Sequence, residues 1–313
     1  VRRADGYAAW RNTWDAGAWR AYFEERKNQG DTRGPRRQVY ASTLMLVKRG
    51  RYHTASGGLV ELGRIINPQA QADNVFVDRE ITLRPSLERN SGEVRIAVVN
   101  DDCLALARRL HATDPTDDIC VLNMANSHRP GGGVWGGAGA QEEYLFRCTD
   151  YYRFLYQYAN NFDPQAYHVQ RNAHHRYPLD PLYGGIYSHG VTVFRDTEAN
   201  GYALLDSPVR LNFVAVAAFH FNERCDAIPQ PYVEPTKDKI RLMLRLAANN
   251  GQRRLVLGAF GCGAFHNEPH HMAQLFRQVI HESEFQGLFT SISFAVIEDH
   301  NSTNNYTAFR DVL

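Results

Sequence analysis

Three glycines and two acids carry the clearest chemical signal in this sequence. Gly131, Gly132 and Gly133 are consecutive, and Glu142 and Glu143 follow them closely. Glycine has no Cβ, so its backbone adopts positive φ angles and can approach a ligand closely. The acids fall where a helix is expected to begin, and N–H groups at a helix start favour oxygen-rich ligands. This combination predicts a site that holds a polar ligand and carries out proton transfer on it.

A second glycine-containing loop, residues 258–267, lies between a predicted strand and a predicted helix. Its centre consists of Gly261, Cys262, Gly263, Ala264 and Phe265. Spaced glycines let successive N–H groups converge on a phosphate, and the following helix N-terminus adds to the field. The Gly-Lys-Ser/Thr ending of a nucleoside-triphosphate loop is absent, and the loop lacks the spacing of a dinucleotide-binding fingerprint. The pattern therefore predicts a phosphate-binding loop of another kind.

Three further polar residues follow predicted strands, namely Asp101, Asp102 and Asn126. One of the two aspartates is expected to cap the helix that follows. The functional alternative is that one of these carboxylates accepts a hydrogen bond from an exocyclic amine, and the sequence does not decide which. An asparagine at a strand end is often a turn former, which is the simplest interpretation of Asn126.

The histidines and cysteines form no recognisable metal motif. The pair His174 and His175 and the group His266, His270 and His271 lack acidic or cysteine partners at fixed spacing. The five cysteines are odd in number and distant from one another, and none forms a C-x-x-C pair. We therefore expect no metal, no cofactor and no disulfide framework, and we expect reduced thiols.

Strands and helices alternate along most of the chain. Predicted core strands span residues 94–99, 119–123, 211–217, 253–257 and 288–297. Predicted helices span residues 38–48, 235–249 and 270–283, and another is expected to open near Gly139. The alternation from Val94 onward predicts a three-layer α/β/α domain, in which ligands bind outside the carboxyl ends of the strands.

The residues before this domain have a different pattern. Four aromatic residues near the N-terminus have helical spacing: Trp10, Trp14, Trp19 and Phe23. They predict an amphipathic helix that packs on the body of the protein. Residues 51–62 alternate around Ser56-Gly57-Gly58, which predicts a hairpin.

Composition limits the classes of function. The 313 residues are 43% hydrophobic and 22% charged, with a net charge of +1, as in soluble globular proteins. This charge favours neither a nucleic-acid nor a membrane partner, so we expect no membrane association and no sequence-specific nucleic acid. No apolar run is long enough to span a bilayer, and no secretory segment is visible at the start. We expect a cytoplasmic, intracellular location.

The triple glycine, seven residues and then Gln141-Glu142-Glu143 resemble the signature of the poly(ADP-ribose) glycohydrolases. The flanking Asn123, Ala125, Asn126, Pro130 and the run to Arg147 resemble the bacterial-type branch of that family. Residues 39–62 are similar, more diffusely, to the accessory region that precedes the catalytic domain there. The resemblance implies a macrodomain-like mixed sheet within the α/β/α domain, over residues 91–313. It also implies an N-terminal, mainly helical accessory region over residues 1–90.

The resemblance also implies roles for the candidate residues. It places the catalytic acid at Glu143, a ribose-hydroxyl contact at Glu142 and a site-shaping role at Gln141. It implies that Asn126 touches the ribose next to the scissile bond, and that one of the two early aspartates contacts adenine. The second glycine loop would be the diphosphate loop, with Phe265 beside the distal ribose.

The activity implied is hydrolysis of the ribose–ribose bonds of poly(ADP-ribose) to ADP-ribose. The partners implied are poly(ADP-ribose), ADP-ribose and ADP-ribosylated proteins. Adjacent helix residues point about 100° apart, so one glutamate is expected to do the chemistry while the other binds. One alternative is removal of single ADP-ribose units, and another is a non-catalytic ADP-ribose reader. Endo- and exo-cleavage would differ by a wall at the far end of the adenosine site, for which residues 171–187 are the candidate.

Overall fold

The protein is described here by a computed structural model that covers residues 14–160, 169–298 and 304–313. Its helices, in chain order, are α1 (Ala16–Asn28), α2 (Arg33–Arg49), α3 (Leu62–Ile65), α4 (Cys103–Thr113), α5 (Gln141–Cys148), α6 (Tyr152–Leu155), α7 (Gln230–Asn249), α8 (Pro269–Ile280) and α9 (Asn305–Val312). Its strands are β1 (Tyr52–His53), β2 (Leu59–Val60), β3 (Asn74–Asp78), β4 (Arg95–Val99), β5 (Ile119–Met124), β6 (Gly184–Arg195), β7 (Leu204–Val216), β8 (Arg254–Leu257) and β9 (Ser291–Ala295).

The chain forms two compact units, each assembled from separate segments. The first unit contains the described parts of residues 1–73, 129–176 and 190–210, and the second contains those of residues 74–128, 177–189 and 211–313. Each unit collects segments that are distant in sequence, and the division into residues 1–90 and 91–313 stays a prediction. The first unit holds α1–α3, β1, β2, α5 and α6.

Seven of the described strands form one mixed sheet in the order β3-β6-β7-β5-β8-β9-β4. β3 pairs antiparallel with β6, whereas β7, β5, β8, β9 and β4 pair in parallel along the series. Parallel strands need covered faces, and β5 and β8 are accordingly buried along nearly their whole length. Helices alternate with these strands and pack on the sheet, so the predicted α/β fold is confirmed.

Alternation along the central strands builds the core of the second unit. Cys120 of β5 lies opposite Leu255 of β8, which in turn lies opposite Ile292 of β9. These residues are almost fully buried and pack in one cluster with apolar residues of α7 and α8. The apolar stripe of α8 therefore covers the same face of the sheet that these strand residues line.

The N-terminal predictions are largely confirmed, except that Trp14 is buried just before α1 and is not part of the helix. Asp15 caps α1 by accepting a hydrogen bond from the N–H of Ala18 at 2.8 Å, and Trp19 and Phe23 are buried. α2 ends at Gly50, whose φ of 71° is typical of a helix C-cap. β1 and β2 form the predicted hairpin, with Tyr52 opposite Val60. Trp10 lies outside the described residues.

Three element predictions need correction, and one strand was not predicted. α5 begins at Gln141 rather than near Gly139, and β4 is an edge strand that is only partly buried. α7 begins at Gln230 and continues through Pro235, which lies inside the helix and has no N–H to donate to the carbonyl of Pro231. β3 was not predicted, because its five residues alternate too briefly to distinguish a strand from a loop.

All five cysteines are free thiols. Within the described residues, no helix combines the length and the hydropathy that crossing a bilayer requires.

Candidate active site

The triple glycine folds tightly against the helix that follows it. Gly131 and Gly132 adopt φ angles of 73° and 49°, which other residues avoid. A Cβ on Gly131 would lie 2.7 Å from the ring of Phe146. A Cβ on Gly132 would lie 2.5 Å from Oε1 of Glu143 and 3.2 Å from Oε2 of Glu142. The glycines are therefore required by contact with α5 as well as by backbone angle.

Both glutamates are bound by N–H groups of this loop. Gly131 donates to Oε1 of Glu142 at 3.0 Å, and Gly133 donates to Oε1 of Glu143 at 2.7 Å. The side chains are nearly inaccessible, since Glu142 is 3% exposed and Glu143 is 7% exposed. Oε2 of Glu143 is buried and has no hydrogen-bond partner within the described part of the chain. An acidic oxygen held beside a close-approach loop and left without a partner is suited to proton exchange with a ligand.

The position of the acids on the helix also favours this arrangement. Gln141 is the first residue of α5, so Glu142 and Glu143 occupy its first turn. The N–H groups there lack intrahelical partners and favour negative charge. Gln141 itself is only partly buried.

The two early aspartates have different roles in the second unit. Asp102 caps α4, since its Oδ1 accepts from the N–H groups of Leu104 at 2.9 Å and Ala105 at 3.0 Å. Asp101 accepts a hydrogen bond from the N–H of Asp102 and forms an ion pair with Arg109. The predicted helix cap is confirmed and belongs to Asp102. The assignment of an adenine contact to either residue stays a prediction.

Asn126 follows β5 and forms the turn that the sequence predicts. Its Oδ1 accepts from the N–H of His128 at 2.9 Å, which closes an Asx-turn. The side chain is partly exposed. A ribose contact by Asn126 stays a prediction.

The second glycine loop presents a row of backbone donors. Gly261 has a φ of 73°, and a Cβ there would lie 2.6 Å from Cβ of Ala218. The N–H of Cys262 is used within the loop, because it donates to the carbonyl of Ala259 at 3.0 Å. The N–H groups of Gly263, Ala264 and Phe265 donate to no atom of the described residues. Three consecutive donors of this kind suit a phosphate group.

The side chains of this loop are not equivalent. Cys262 is 3% exposed and burial raises the pKa of its thiol, so the side chain packs inside the loop. Phe265 is partly exposed, and its ring meets that of His220 edge-on at 5.2 Å.

Asn267 is the important residue here that the sequence did not indicate. Its Nδ2 donates to the carbonyls of Phe219 at 2.7 Å, Gly261 at 3.2 Å and Phe265 at 3.3 Å. The side chain is 2% exposed. The Asn267 amide therefore links the loop to the segment after β7. No local sequence pattern predicts this link, because Phe219 and Asn267 are 48 positions apart.

The predicted site residues thus fall into two groups. Gly131, Gly132, Gly133, Glu142 and Glu143 are in direct contact in the first unit, where Gln141 also lies. The others belong to the second unit: Asp101, Asp102, Asn126, Gly261, Cys262, Gly263, Ala264 and Phe265.

Two of the candidate histidines have local structural roles. Nδ1 of His271 accepts from the N–H of Ile228 at 3.1 Å, and Nδ1 of His266 lies 3.0 Å from the carbonyl of Phe221. In the ranges that the structure describes, no group of three or more histidine, cysteine or acidic residues is arranged to hold a metal ion.

A cavity of about 480 Å³ lies elsewhere in the first unit, and its lining includes two residues of the predicted wall segment 171–187 but none of the predicted catalytic or binding residues. It is lined by residues 68–72 and 169–172 with Arg153 and Gln157. Its polar groups bind one another: Gln157 donates to the carbonyl of Gln71 at 3.0 Å, and Gln71 donates to that of Gln170 at 2.8 Å. Because Glu142 and Glu143 do not line this cavity, we assign it to imperfect packing between two loops and not to the active site.

Comparison with known proteins gives consistent results. A family model described as the catalytic domain of microbial-type PARG matches residues 41–196. A structure of poly(ADP-ribose) glycohydrolase from Thermomonospora curvata, bound to the inhibitor ADP-HPD, is 32% identical and has a TM-score of 0.71; the match covers 90% of this chain and all of that one. The Deinococcus radiodurans poly(ADP-ribose) glycohydrolase in complex with ADP-ribose is 33% identical with a TM-score of 0.54, over 72% of this chain and 86% of that one. Among curated proteins, none matches this chain significantly.

Proposed function

Because this chain belongs to the family of microbial-type poly(ADP-ribose) glycohydrolases, we infer that it is a glycosidase that hydrolyses poly(ADP-ribose). The bond cleaved is the ribose–ribose O-glycosidic bond, and the product is ADP-ribose. The relatives of known structure bind ADP-ribose or ADP-HPD, which supports binding of ADP-ribose units by this chain.

We propose that Glu143 is the catalytic acid. The observation that carries this assignment is its buried Oε2, which has no partner among the described residues while Oε1 is fixed by Gly133. A carboxyl group with one oxygen anchored and the other available can deliver a proton in a defined direction. Glu142, whose Oε1 is bound by Gly131, is the proposed contact to a ribose hydroxyl.

The proposed reaction needs one proton donor that later becomes a base. The Glu143 carboxyl gives its proton to the departing ribose oxygen as the C1–O bond breaks, and the distal ribose gains oxocarbenium character. The resulting Glu143 carboxylate then takes a proton from a water molecule as its oxygen bonds to C1. One water is consumed, and Glu143 returns to its starting protonation state.

The remaining candidate residues are proposed to bind the ADP-ribose unit. The three unpaired N–H groups of Gly263, Ala264 and Phe265 support a diphosphate-binding role for their loop. Asn126 and one of the early aspartates are proposed to contact ribose and adenine. ADP-ribosylated proteins are the proposed carriers of the polymer, and an intracellular location is proposed with them.

The test compares the purified protein with its Glu143→Gln variant on automodified poly(ADP-ribose), without added metal. The amide oxygen of glutamine can still accept from Gly133, so the loop should keep its conformation while proton transfer is lost. We expect the wild type to release ADP-ribose and the Glu143→Gln variant to lose about 100- to 10,000-fold in rate. Glu142→Gln is the matched variant, and its main effect should be a higher KM.

Three other outcomes would contradict the proposal. If the wild type binds ADP-ribose but cleaves nothing, the chain is a reader. If it removes single ADP-ribose units from protein but leaves the polymer intact, it is a mono-ADP-ribosyl hydrolase. If Glu143→Gln retains the wild-type rate, the acid is another residue.

A further inference from the structure

A partly buried polar network extends from the start of α2 to the helix that carries the glutamates. Arg36 donates two hydrogen bonds to Glu198, from Nε at 2.8 Å and from Nη2 at 2.7 Å. Tyr202 donates from its hydroxyl to Glu198 at 2.7 Å, and Arg147 donates from Nε to the same hydroxyl at 2.7 Å. Arg147 lies on α5 one turn after Glu143 and is 1% exposed. All of these residues belong to the first unit.

The same polar network contacts residues 137–139, the segment that leads into α5. Nη1 of Arg147 donates to the carbonyl of Ala138 at 2.7 Å. A Cβ on Gly139 would overlap the guanidinium of Arg36, and a Cβ on Gly137 would overlap the carbonyl of Arg33. The start of α2 therefore packs directly on residues 137–139, between the triple glycine and the acids.

α2 also holds the other end of α5. The hydroxyl of Thr43 donates to the carbonyl of Arg147 at 2.5 Å, and Arg195 donates to that hydroxyl at 3.0 Å. Carbonyls in the last turn of a helix lack intrahelical partners, so this bond satisfies one of them. Both ends of the short helix α5 are thus fixed by residues that are distant in sequence.

Arg36 and Glu198 stay ionised in the folded protein. Although burial opposes it, the paired Arg36 guanidinium holds the pKa of Glu198 below its usual range. Burial raises the pKa of Tyr202 well above its usual value, so its hydroxyl stays a donor. The Arg36 side chain is 18% exposed, which makes this ion pair more persistent than one at the surface.

We propose that Arg36 and Glu198 are positioning residues that, through Tyr202 and Arg147, hold residues 137–140 and thereby fix the carboxyl of Glu143. This inference rests on the proposed function of Glu143. Displacing a reacting group by about 1 Å can cost about 100-fold in rate, so loss of the ion pair should act on catalysis even where the fold persists.

The experiment measures kcat and KM for Arg36→Ala, Arg36→Lys and Glu198→Gln on poly(ADP-ribose), with ADP-ribose affinity measured in parallel. We expect kcat to fall about 10- to 100-fold in Arg36→Ala, with KM and ADP-ribose affinity within about twofold of wild type. Arg36→Lys should recover only part of the rate, because an ammonium cannot make the two-bonded contact with Glu198. Arg37→Ala is the control, since Arg37 is an exposed neighbour on the same helix and carries the same charge.

Two further measurements separate positioning from general destabilisation. Added guanidinium at millimolar concentration should restore part of the Arg36→Ala rate, and sodium chloride at equal ionic strength should not. Hydrogen exchange at the Gly133 N–H should accelerate in Arg36→Ala and Glu198→Gln. This measurement needs no substrate, so it does not depend on the proposed activity. If these variants keep the wild-type kcat, or if exchange at Gly133 is unchanged, the positioning role is wrong. An inactive wild type with accelerated exchange in the variants would instead contradict the proposed function alone.

Discussion

At the scale of single residues, the two adjacent glutamates are distinguished by what holds them. Each accepts one N–H from the glycine loop, yet only Glu143 has a buried oxygen for which the described residues offer no partner. A buried acidic oxygen without a partner is costly, so such a group is usually retained for a ligand. The geometry therefore favours the assignment of the acid that the family resemblance implies.

Gly132 gives a sharp test of this arrangement, since a methyl group there would meet Oε1 of Glu143. We expect Gly132→Ala to lose about 100-fold or more in rate, because the carboxyl must move. The φ of 49° adds strain of about 1–2 kcal/mol to the folded state. Initial rates on poly(ADP-ribose) and thermal unfolding would measure the two effects.

Gly136 is the matched control for that substitution. It lies in the same loop, and a Cβ there would meet nothing within 4 Å. Gly136→Ala should therefore keep nearly the wild-type rate. Equal losses in the two variants would mean that the loop tolerates no side chain anywhere, and that contact with Glu143 is not the cause.

At the scale of elements, one buried side chain adds to the backbone hydrogen bonds that hold the second glycine loop. The Asn267 amide donates to three carbonyls, two within the loop and one in the segment after β7. The backbone donors of residues 263–265 are left unpaired while the loop is held in place from behind. Rigid placement of unpaired donors reduces the entropy that binding an anion would otherwise cost.

Asn267→Ala should therefore weaken ADP-ribose binding and destabilise the second unit. The carbonyl of Phe219 would lose its amide donor, and those of Gly261 and Phe265 would keep only their backbone donors, which costs about 1–3 kcal/mol in unfolding free energy. Calorimetric titration with ADP-ribose and chemical unfolding would measure the two losses. Asn222→Ala is the control, because Asn222 is an exposed asparagine in the neighbouring loop. Unchanged affinity in Asn267→Ala would show that the loop does not need this anchor to bind.

At the scale of the whole molecule, sequence separation decides what could be predicted. The triple glycine and its acids lie within 13 residues, so their contact follows from local pattern. The alternation of apolar strands similarly predicts the central sheet. Arg36 and Glu198 are 162 positions apart, and Phe219 and Asn267 are 48 apart, so nothing local in the sequence links them. The pairing of β3 with β6 is equally non-local, and it was missed for the same reason.

Lys239 is a further residue whose importance only the folded molecule reveals. It lies on α7 and is 3% exposed, with its ammonium 4.6 Å from the centre of the Phe219 ring. Burial lowers its pKa to about 8, from a usual value of 10.5, and the charge of Asp180 opposes this only in part. Between pH 8 and pH 10.5, Lys239 is protonated in the unfolded chain but has lost its proton in the folded chain. The contribution of Lys239 to the free energy of unfolding therefore rises with pH in this range.

The stability of the wild type relative to Lys239→Met should therefore depend on pH in a defined window. We expect the difference to be constant below about pH 7 and to shift in favour of the wild type by about 3 kcal/mol from pH 8 to 10.5. Chemical unfolding at several pH values would measure it, with Lys237→Met on the same helix as the control for losing one lysine. A flat difference across this window would show that Lys239 keeps an ordinary pKa in the folded protein. The contact with Phe219 would then fully offset the cost of burying its charge.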